Sequence, residues 1–264
     1  MHNSEAKTSV PLSLAIICLN EAANIERCIR SVPFAAEVVV VDSGSTDGTR
    51  EIAERCGAKV YEREWRGFRD QKRLATELCS HDWVLSLDAD EALSPEAQEE
   101  VLNLLNSSQL ADFDGYEFPR LSWHLGRWIY HGGWYPDYQL RLYNRRRAQW
   151  EGGEHVHERV HAPRAKRLKS CILHWPFVDL SEQVNTNNRY SSLGAVELHS
   201  KGKKFSLFKL LTKPLSKFLE TYLIKGGFRD GMPGFVIAVG AAYSVFLKFA
   251  KLWEIERLKE NKTD

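Results

Sequence analysis

The stretch WVLSLDADE, residues 83–91, ends an apolar run with three acidic side chains. An apolar run of this length, bounded by polar residues, is typical of a buried strand. Because the chain turns at a strand end, Asp88 and Asp90 can converge on one ion. Such a site suits Mg²⁺, which binds one or two protein carboxylates and completes its shell with water and substrate phosphate oxygens. The alternative is an acidic loop that caps the helix expected to begin near Ser94 and Pro95.

Strands and helices alternate in the sequence before this stretch. Leu12–Leu19 and Val38–Val41 are continuous apolar runs rich in Val and Ile, as in central parallel strands covered on both faces. Asn20 is expected to cap one helix, and Ser45 or Thr46 another. The later predicted elements are a strand Lys59–Glu62, a helix Phe68–Cys79 and a strand Trp83–Asp88. This order predicts an α/β fold with a doubly wound, mostly parallel sheet, in which ligands bind beyond the carboxyl ends of the strands.

Three polar clusters fall at these carboxyl ends and form the expected ligand site. They are Asn20 with Glu21, residues 42–47, and residues 88–91. The sequence has neither a Gly-x-x-x-x-Gly-Lys-Ser/Thr loop nor a Gly-x-Gly-x-x-Gly fingerprint, which argues against P-loop ATPases and classical dinucleotide enzymes. Asp42 can accept hydrogen bonds from a ribose or a base. Its alternative role is to cap the turn that it forms with Ser43 and Ser45.

Three segments in this order carry a resemblance to a known family. They read IICLNE at residues 16–21, VVDSGSTDGT at residues 40–49 and LDADE at residues 87–91. Together they are similar to family 2 glycosyltransferases, which implies a GT-A fold. Further on, DYQLRLY at residues 137–143, VHE at residues 156–158 and His174 resemble bacterial glucosyltransferases that build the lipopolysaccharide inner core.

The resemblance implies transfer of a hexose, with UDP-glucose as the expected donor, to a lipopolysaccharide-core or other glycolipid acceptor with inversion at the anomeric carbon. The residues that it assigns to the nucleotide sugar are Asn20, Glu21, Asp42, Ser43, Asp47, Lys72, Asp88 and Arg141. Those that it assigns to a Mg²⁺ or Mn²⁺ ion on the diphosphate are Asp88, Asp90 and His174. Such an ion would neutralise the charge that develops on the leaving group.

Inversion also requires a base that deprotonates the acceptor hydroxyl, and two carboxylates are candidates. We favour Glu158, because it precedes His174 in the same order as the acidic motif of related enzymes. The second candidate is Asp137, which opens the strand that carries Arg141. Either carboxylate could instead form an ion pair with the arginine-rich segment 141–147.

Aromatic residues are dense between Tyr116 and Trp150. Flat rings suit the apolar faces of sugars. We predict that Trp128 and Trp134, close to the turn at Gly132–Gly133, are exposed and bind the acceptor. The alternative is that these rings form the core of a sheet.

Other features limit the remaining classes of function. The alternating histidines have no accompanying cysteine pair and do not predict a structural zinc site; they are His155, His157 and His161. Five scattered cysteines and a polar N-terminal segment are typical of a reduced, cytoplasmic protein without an export signal. Nucleic-acid binding is not expected. A nucleotidyltransferase, a transferase for another envelope polysaccharide or lipid carrier, and a noncatalytic nucleotide-sugar-binding scaffold are the alternatives.

We predict a catalytic domain over residues 1–200 and a helical extension over residues 201–264. The catalytic domain divides into a nucleotide-sugar half, residues 1–110, and an acceptor half, residues 111–200. The net charge of the whole chain is only +1, but the extension contains 13 Lys and Arg against 6 Asp and Glu. Positive charge is therefore concentrated at the C-terminal end.

The extension has the pattern of a basic amphipathic helix followed by an uncharged segment. Lysines recur every four residues at Lys209, Lys213 and Lys217, with apolar residues between them. Residues 231–247 carry no charge, but we expect Pro233, Gly234 and Gly240 to interrupt them, which argues against a spanning helix. We therefore expect a peripheral anchor on the anionic cytoplasmic face of the inner membrane, a contact within a homo-oligomer, or both.

Overall fold

The computed structural model describes residues 10–152 and 158–260. These residues fall into two compact units. The first contains the described residues up to Arg120 together with Asp137–His174, and the second contains Leu121–Pro136 together with the residues from Trp175 onwards. This division differs from the predicted boundary at residue 200, because the helix that ends there belongs to the second unit.

The first unit begins with parallel strands that alternate with helices, so the predicted α/β fold is confirmed. The strands are β1 (Leu12–Cys18), β2 (Glu37–Asp42), β3 (Lys59–Glu62) and β4 (Trp83–Asp88). The helices are α1 (Ile25–Arg30), α2 (Thr49–Arg55) and α3 (Phe68–Leu78). β1 pairs in parallel with both β2 and β4, and β3 lies outside β2. The carboxyl ends of β1, β2 and β4 therefore lie side by side.

Further strands extend the sheet beyond β4. In chain order they are β5 (Glu91–Leu93), β6 (Gly115–His124), β7 (Arg127–Ile129), β8 (Asp137–Asn144), β9 (Gln149–Glu151), β10 (Arg159–His161), β11 (Ala165–Arg167) and β12 (Ile172–His174). The sheet order is β3-β2-β1-β4-β8-β6-β12-β5, with β7 and β11 paired to β6, while β9 and β10 form a separate pair. Helix α4 (Pro95–Leu105) follows β5, and its N-cap Ser94 accepts a hydrogen bond from Ala97 N–H, as the predicted helix start implies.

The central strands are apolar because both faces of the sheet are covered. Leu12, Leu14 and Ile16 of β1 belong to one buried cluster, whereas Ala15 and Ile17 belong to the cluster on the opposite face. A strand covered on both faces has no polar side, and its polar neighbours collect at its ends. This arrangement positions the acidic residues of the sequence at the carboxyl edge.

The second unit consists mainly of helices. They are α5 (Leu180–Ser200), α6 (Leu207–Leu219) and α7 (Gly231–Glu260). A π-helical turn (Glu220–Ile224) and a 3-10 turn (Gly227–Asp230) connect α6 to α7.

The prediction that Pro233, Gly234 and Gly240 interrupt the uncharged segment is wrong, since α7 runs through all three. Pro233 lies in the first turn, where a helix needs no N–H donor. Gly234 allows close packing, because a Cβ there would lie 1.9 Å from the carbonyl oxygen of Gly227. By length and composition alone, the segment Gly227–Leu258 could cross a membrane.

Candidate active site

Hydrogen bonds join the loops that follow β1 and β2. Three backbone N–H groups of the first loop donate to side chains of the second loop and of the first residue of α2, in the pairs Asn20–Ser45, Ala22–Asp47 and Glu21–Thr49, at 2.8, 3.0 and 2.8 Å. Asn20 Oδ1 in turn accepts from Thr46 N–H at 2.9 Å. Asn20 therefore does not cap α1, whose N-cap is Asn24. The assigned residues Asn20, Glu21 and Asp47 are brought together, and they also hold the two loops to each other.

Asp42 is fully buried, and neighbouring groups of its own turn occupy its carboxylate. Oδ2 accepts hydrogen bonds from the N–H groups of Gly44 and Ser45, both at 2.9 Å, and Oδ1 accepts one from the Ser45 hydroxyl. Burial alone would raise the pKa of Asp42, but these hydrogen bonds lower it. The geometry favours the turn-capping role over the predicted contact with uridine. Next to it, Ser43 Oγ accepts from Gln71 Nε2 at 2.9 Å.

Lys72 of α3 links Asp88 to Glu158. Its Nζ lies 2.8 Å from Asp88 Oδ1 and 3.3 Å from Glu158 Oε1, and only 6% of its side chain is exposed. The ammonium also lies over the ring of Trp150, 5.4 Å from the centroid. A buried ammonium requires such partners, because desolvation of an unpaired charge is costly. One contact network thus contains Lys72, which was assigned to the nucleotide sugar, Asp88, a predicted metal ligand, and Glu158, the favoured base.

Arg141 and Glu91 form a buried ion pair beside Asp88. Arg141 Nη2 lies 2.7 Å from Asp88 Oδ2 and 2.7 Å from Glu91 Oε1, and Glu91 is fully buried. Glu91 Oε2 also accepts a hydrogen bond from Asp88 N–H at 3.1 Å. Burial alone would raise the pKa of Asp88, but the charges of Arg141 and Lys72 hold it well below its usual range. Asp88 is therefore an anion whose charge is already balanced by two cations.

Arg120 extends this network to Asp137. Its Nη1 lies 3.1 Å from Glu91 Oε1, while its Nη2 and Nε lie 2.6 and 3.0 Å from Asp137 Oδ2. Carboxylates and cations therefore alternate along one chain of contacts, in the order Asp137, Arg120, Glu91, Arg141, Asp88, Lys72 and Glu158. The two candidate bases occupy its opposite ends. Such an arrangement offers cations for a bound anion and a carboxylate at either end that can accept a proton.

Asp90 and His174 form the pair best suited to a metal ion. His174 Nε2 lies 3.3 Å from Asp90 Oδ2. The predicted set of three ligands is not brought together: among the residues that the structure describes, no group of three His, Cys, Asp or Glu side chains could hold an ion. The carboxylate of Asp88 instead contacts Lys72 and Arg141. A carboxylate with an imidazole still fits Mg²⁺ or Mn²⁺, since such an ion takes its remaining ligands from substrate oxygens and water.

Trp128 and Trp134 lie in the second unit, where each is half-buried among other rings. The ring-centroid distances are 5.1 and 5.4 Å for Trp128 with Trp123 and Trp175, and 5.5 and 6.4 Å for Trp134 with His124 and Phe177. The prediction that these two are the exposed members is wrong, because ring packing covers part of each. Tyr130 is exposed instead. Of the alternating histidines, His155 and His157 lie outside the described residues.

The sequence prediction included Glu91 only as a member of the 88–91 cluster, without a role of its own, and it did not include Arg120 in the site. A signal was present, because each is a charged residue within a strand whose other members are largely buried. Charged residues are rarely buried unless they are paired, so two such residues of opposite sign predict a buried ion pair. Spacing and motif order do not identify which residues pair, because Glu91 and Arg120 come together only in the folded sheet.

Glu91→Gln is expected to lower the free energy of unfolding by about 3–5 kcal/mol, because it leaves the buried Arg141 and the partly buried Arg120 with one carboxylate fewer. Urea unfolding followed by circular dichroism measures the change. The matched control is Glu117→Gln, which removes a more exposed carboxylate 3.0 Å from Arg167 and is expected to cost less than about 1 kcal/mol. Equal losses in the two variants would contradict a central role for Glu91.

Comparison with known proteins gives one consistent assignment. Residues 13–163 match the model of the family Glycosyl transferase family 2. A lipopolysaccharide core biosynthesis glycosyltransferase, LpsC of Rhizobium meliloti, is 34% identical over 264 residues, which cover 95% of this chain and 94% of that protein. An uncharacterised glycosyltransferase of Rickettsia typhi is 35% identical over 260 residues, covering 95% of this chain and 89% of the relative.

Two solved structures are also similar. The glucosyl-3-phosphoglycerate synthase of Mycobacterium tuberculosis, in complex with Mn²⁺, UDP and glucosyl-3-phosphoglycerate, aligns with a TM-score of 0.36 and 26% identity over 45% of each chain. Residues 1–349 of S. aureus TarS, in complex with UDP-GlcNAc, align with a TM-score of 0.47 and 14% identity, covering 92% of this chain and 84% of that one.

Proposed function

The chain belongs to glycosyl transferase family 2, and from this premise we propose that it transfers a hexose from a UDP-sugar, with UDP-glucose as the expected donor, onto a lipopolysaccharide-core or related glycolipid acceptor. It is a glycosyltransferase. The acceptor class is supported by the likeness to LpsC, which extends over nearly the whole length of both proteins.

One observation carries the proposed mechanism: Lys72 Nζ contacts both Asp88 and Glu158. Lys72 thus lies between the carboxylate of Glu158 and that of Asp88. In the proposed mechanism, Glu158 accepts the proton of the acceptor hydroxyl while the donor diphosphate lies against Lys72 and Arg141. The acceptor oxygen then bonds to the anomeric carbon as the bond from that carbon to the diphosphate oxygen breaks. Attack from the face opposite the leaving UDP inverts the configuration.

Asp90 and His174 are the proposed ligands of a Mg²⁺ or Mn²⁺ ion. The hard oxygen and the imidazole nitrogen support this assignment. When bound, the ion supplies Lewis-acid stabilisation of the leaving diphosphate. Asp88 acts differently in this proposal: its charge, balanced by Lys72 and Arg141, keeps both cations in place for the donor.

The loops after β1 and β2 are proposed to hold the nucleoside. Asn20, Glu21, Ser43 and Asp47 belong to these loops, and the hydrogen bonds between the loops support a preformed surface. Asp42 contributes by shaping the turn. For the acceptor, the proposed contacts are the half-buried Trp128 and Trp134. The proposed location of the enzyme is the cytoplasmic face of the inner membrane.

A binding and hydrolysis screen of the purified protein tests the donor. UDP-glucose, UDP-galactose, UDP-N-acetylglucosamine and GDP-mannose are each tested with Mn²⁺ or Mg²⁺ and then with chelator. We expect tighter binding and slow hydrolysis of UDP-glucose that chelator abolishes. Preference for another sugar would replace the donor and point to another envelope polysaccharide or lipid carrier. Binding without hydrolysis or transfer would favour a nucleotide-sugar-binding scaffold, and binding of none would overturn the proposal.

A further inference from the structure

Helix α6 exposes a row of large apolar side chains. Its members are Leu207, Phe208, Leu211, Leu215 and Leu219, and 74% of Phe208 is exposed. At about 100° per residue, the row covers an arc of about 120° on one side of the helix. No residue of α6 is fully buried. The most apolar side of this helix is therefore exposed to solvent rather than packed into a core.

A second exposed apolar row begins in the turn before α7 and continues along that helix. Its members are Phe228, Met232, Phe235, Val239, Tyr243 and Phe246, and 71% of Met232 is exposed. The steps of three and four residues place the five members within α7 on one side of that helix, and Phe228 precedes them in the 3-10 turn. This row extends over about four turns.

Aromatic contacts join the two rows. Phe218, beside the last member of the α6 row, and Tyr222, just after α6, lie 6.0 and 5.7 Å from Phe235 between ring centroids. Tyr222 also lies 6.3 Å from Phe228. Because Phe228 and Phe235 belong to the second row, the rows form one continuous apolar surface, here called the α6–α7 surface. Continuous surfaces of this kind mark sites of protein or membrane contact.

Positive charge accompanies this surface. Between Lys201 and Leu219 the sequence contains six lysines and no acidic residue. The three on α6, Lys209, Lys213 and Lys217, occupy the side about 180° from the centre of the apolar row. A helix with a lysine-rich face and a Leu- and Phe-rich face is typical of the interface of an anionic bilayer.

The packing of α7 favours a position in the interface over a span. Its uncharged part, residues 231–247, is about 25 Å long, less than the hydrocarbon thickness of about 30 Å. Its other side packs on the polar helix α5: Ser244 Oγ donates to the Asn187 carbonyl, and Lys251 Nζ donates to Asn188 Oδ1 at 2.6 Å. A spanning α7 would draw these polar groups of α5 into hydrocarbon, which is unfavourable.

We infer that the α6–α7 surface lies in the headgroup boundary of a bilayer that contains anionic phospholipids, with the apolar rows inserted and the lysines attracting the lipid phosphates. The inference deepens the proposed function. It rests on that function in one respect, since a lipid-linked acceptor requires the enzyme to work at a membrane. The binding itself requires no sugar donor, acceptor or metal.

Vesicle flotation of the full chain tests the inference. Vesicles of phosphatidylcholine alone are compared with vesicles that also contain phosphatidylglycerol. We expect flotation with the second kind only, reduced by added salt. The double variant Leu211→Asp/Leu215→Asp is expected to stay unbound, because two charges cannot enter the apolar boundary. The double variant Lys209→Glu/Lys213→Glu is expected to bind at least about tenfold more weakly, because two attractive charges become repulsive.

Matched controls separate this surface from general effects of charge. Leu102→Asp and Lys169→Glu change an exposed leucine and an exposed lysine of the first unit, and both are expected to float like the wild type. Circular dichroism establishes that each variant is folded, and the lysine variant keeps the test valid should the leucine variant fail to fold. Equal flotation of all variants, or no flotation of the wild type, would overturn the inference.

Two further measurements on the same variants and vesicles test the alternatives, a second copy of the chain on this surface and a membrane-spanning α7. A dimer in solution that Leu211→Asp/Leu215→Asp converts to monomers would assign the surface to a second copy and overturn the lipid assignment. Resistance of the bound wild type to alkaline extraction would indicate a span and overturn the interfacial position. Donor hydrolysis measured without vesicles distinguishes the two proposals: flotation without hydrolysis would contradict only the proposed function, and hydrolysis without flotation only this inference.

Discussion

Glu158→Gln is expected to lower transfer by about 10²–10⁴-fold, the contribution typical of a general base. The amide cannot take the proton of the acceptor hydroxyl, but it has nearly the shape of the carboxylate and keeps an oxygen for the contact with Lys72. Donor binding and the melting temperature should therefore change little. Steady-state transfer assays, with donor affinity measured separately, check this. An unchanged turnover would remove Glu158 from the role of base.

Asp137→Asn is the matched control for this variant. Asp137 accepts two hydrogen bonds from Arg120, at 2.6 and 3.0 Å, so its carboxylate already has a strong cationic partner. We expect Asp137→Asn to retain most of its turnover. The two candidate bases occupy opposite ends of the same network. A larger loss of turnover in Asp137→Asn than in Glu158→Gln would make Asp137 the base in place of Glu158.

Asp90→Ala is expected to lower transfer by about 10³-fold, equivalent to about 4 kcal/mol of activation barrier. Its carboxylate is half-buried and has His174 as its partner, so the loss should fall on metal-dependent chemistry rather than on folding. Activity measured over a titration of Mn²⁺ and Mg²⁺ tests this, because a lost ligand should also weaken the response to the ion.

The matched control for Asp90→Ala is Asp82→Ala. Asp82 is an exposed aspartate that pairs with Arg146 at 2.9 Å and directly precedes β4, at the opposite end of that strand from Asp88. It should retain wild-type activity and metal response. If Asp90→Ala were as active as the wild type, with the same activity in chelator, the proposed metal site would be wrong.

Much of the first unit could be predicted from local patterns. The bounds of β4, Trp83–Asp88, and of β3, Lys59–Glu62, agree with the sequence analysis, and α4 begins after Ser94 as expected. Such elements follow from runs of apolar residues and from capping residues, which act over a few positions. The family and the enzyme class were recognisable for the same reason, since three short segments carry the resemblance.

The roles of individual site residues were harder to predict. Asp42 and Asp88 are both aspartates at strand ends, yet one is enclosed by its own turn and the other is balanced by Lys72 and Arg141. Residue type and spacing are the same for both roles. What separates them is the set of donors within about 3 Å, and the donors of Asp88 come from distant parts of the chain.

The sequence by itself determined the α/β alternation, the family and the edge of the sheet at which the acidic residues collect, because these depend on periodicity and short motifs. Only the tertiary structure decided that Asp90 lies against His174 while Lys72 and Arg141 engage Asp88, that Glu91 and Arg120 join one ion-pair network, and that α7 is continuous through Pro233. These outcomes depend on burial and on contacts between residues far apart in the chain. Such contacts determine the free-energy cost of burying each charge and how closely another part of the backbone approaches a glycine. No local pattern encodes them.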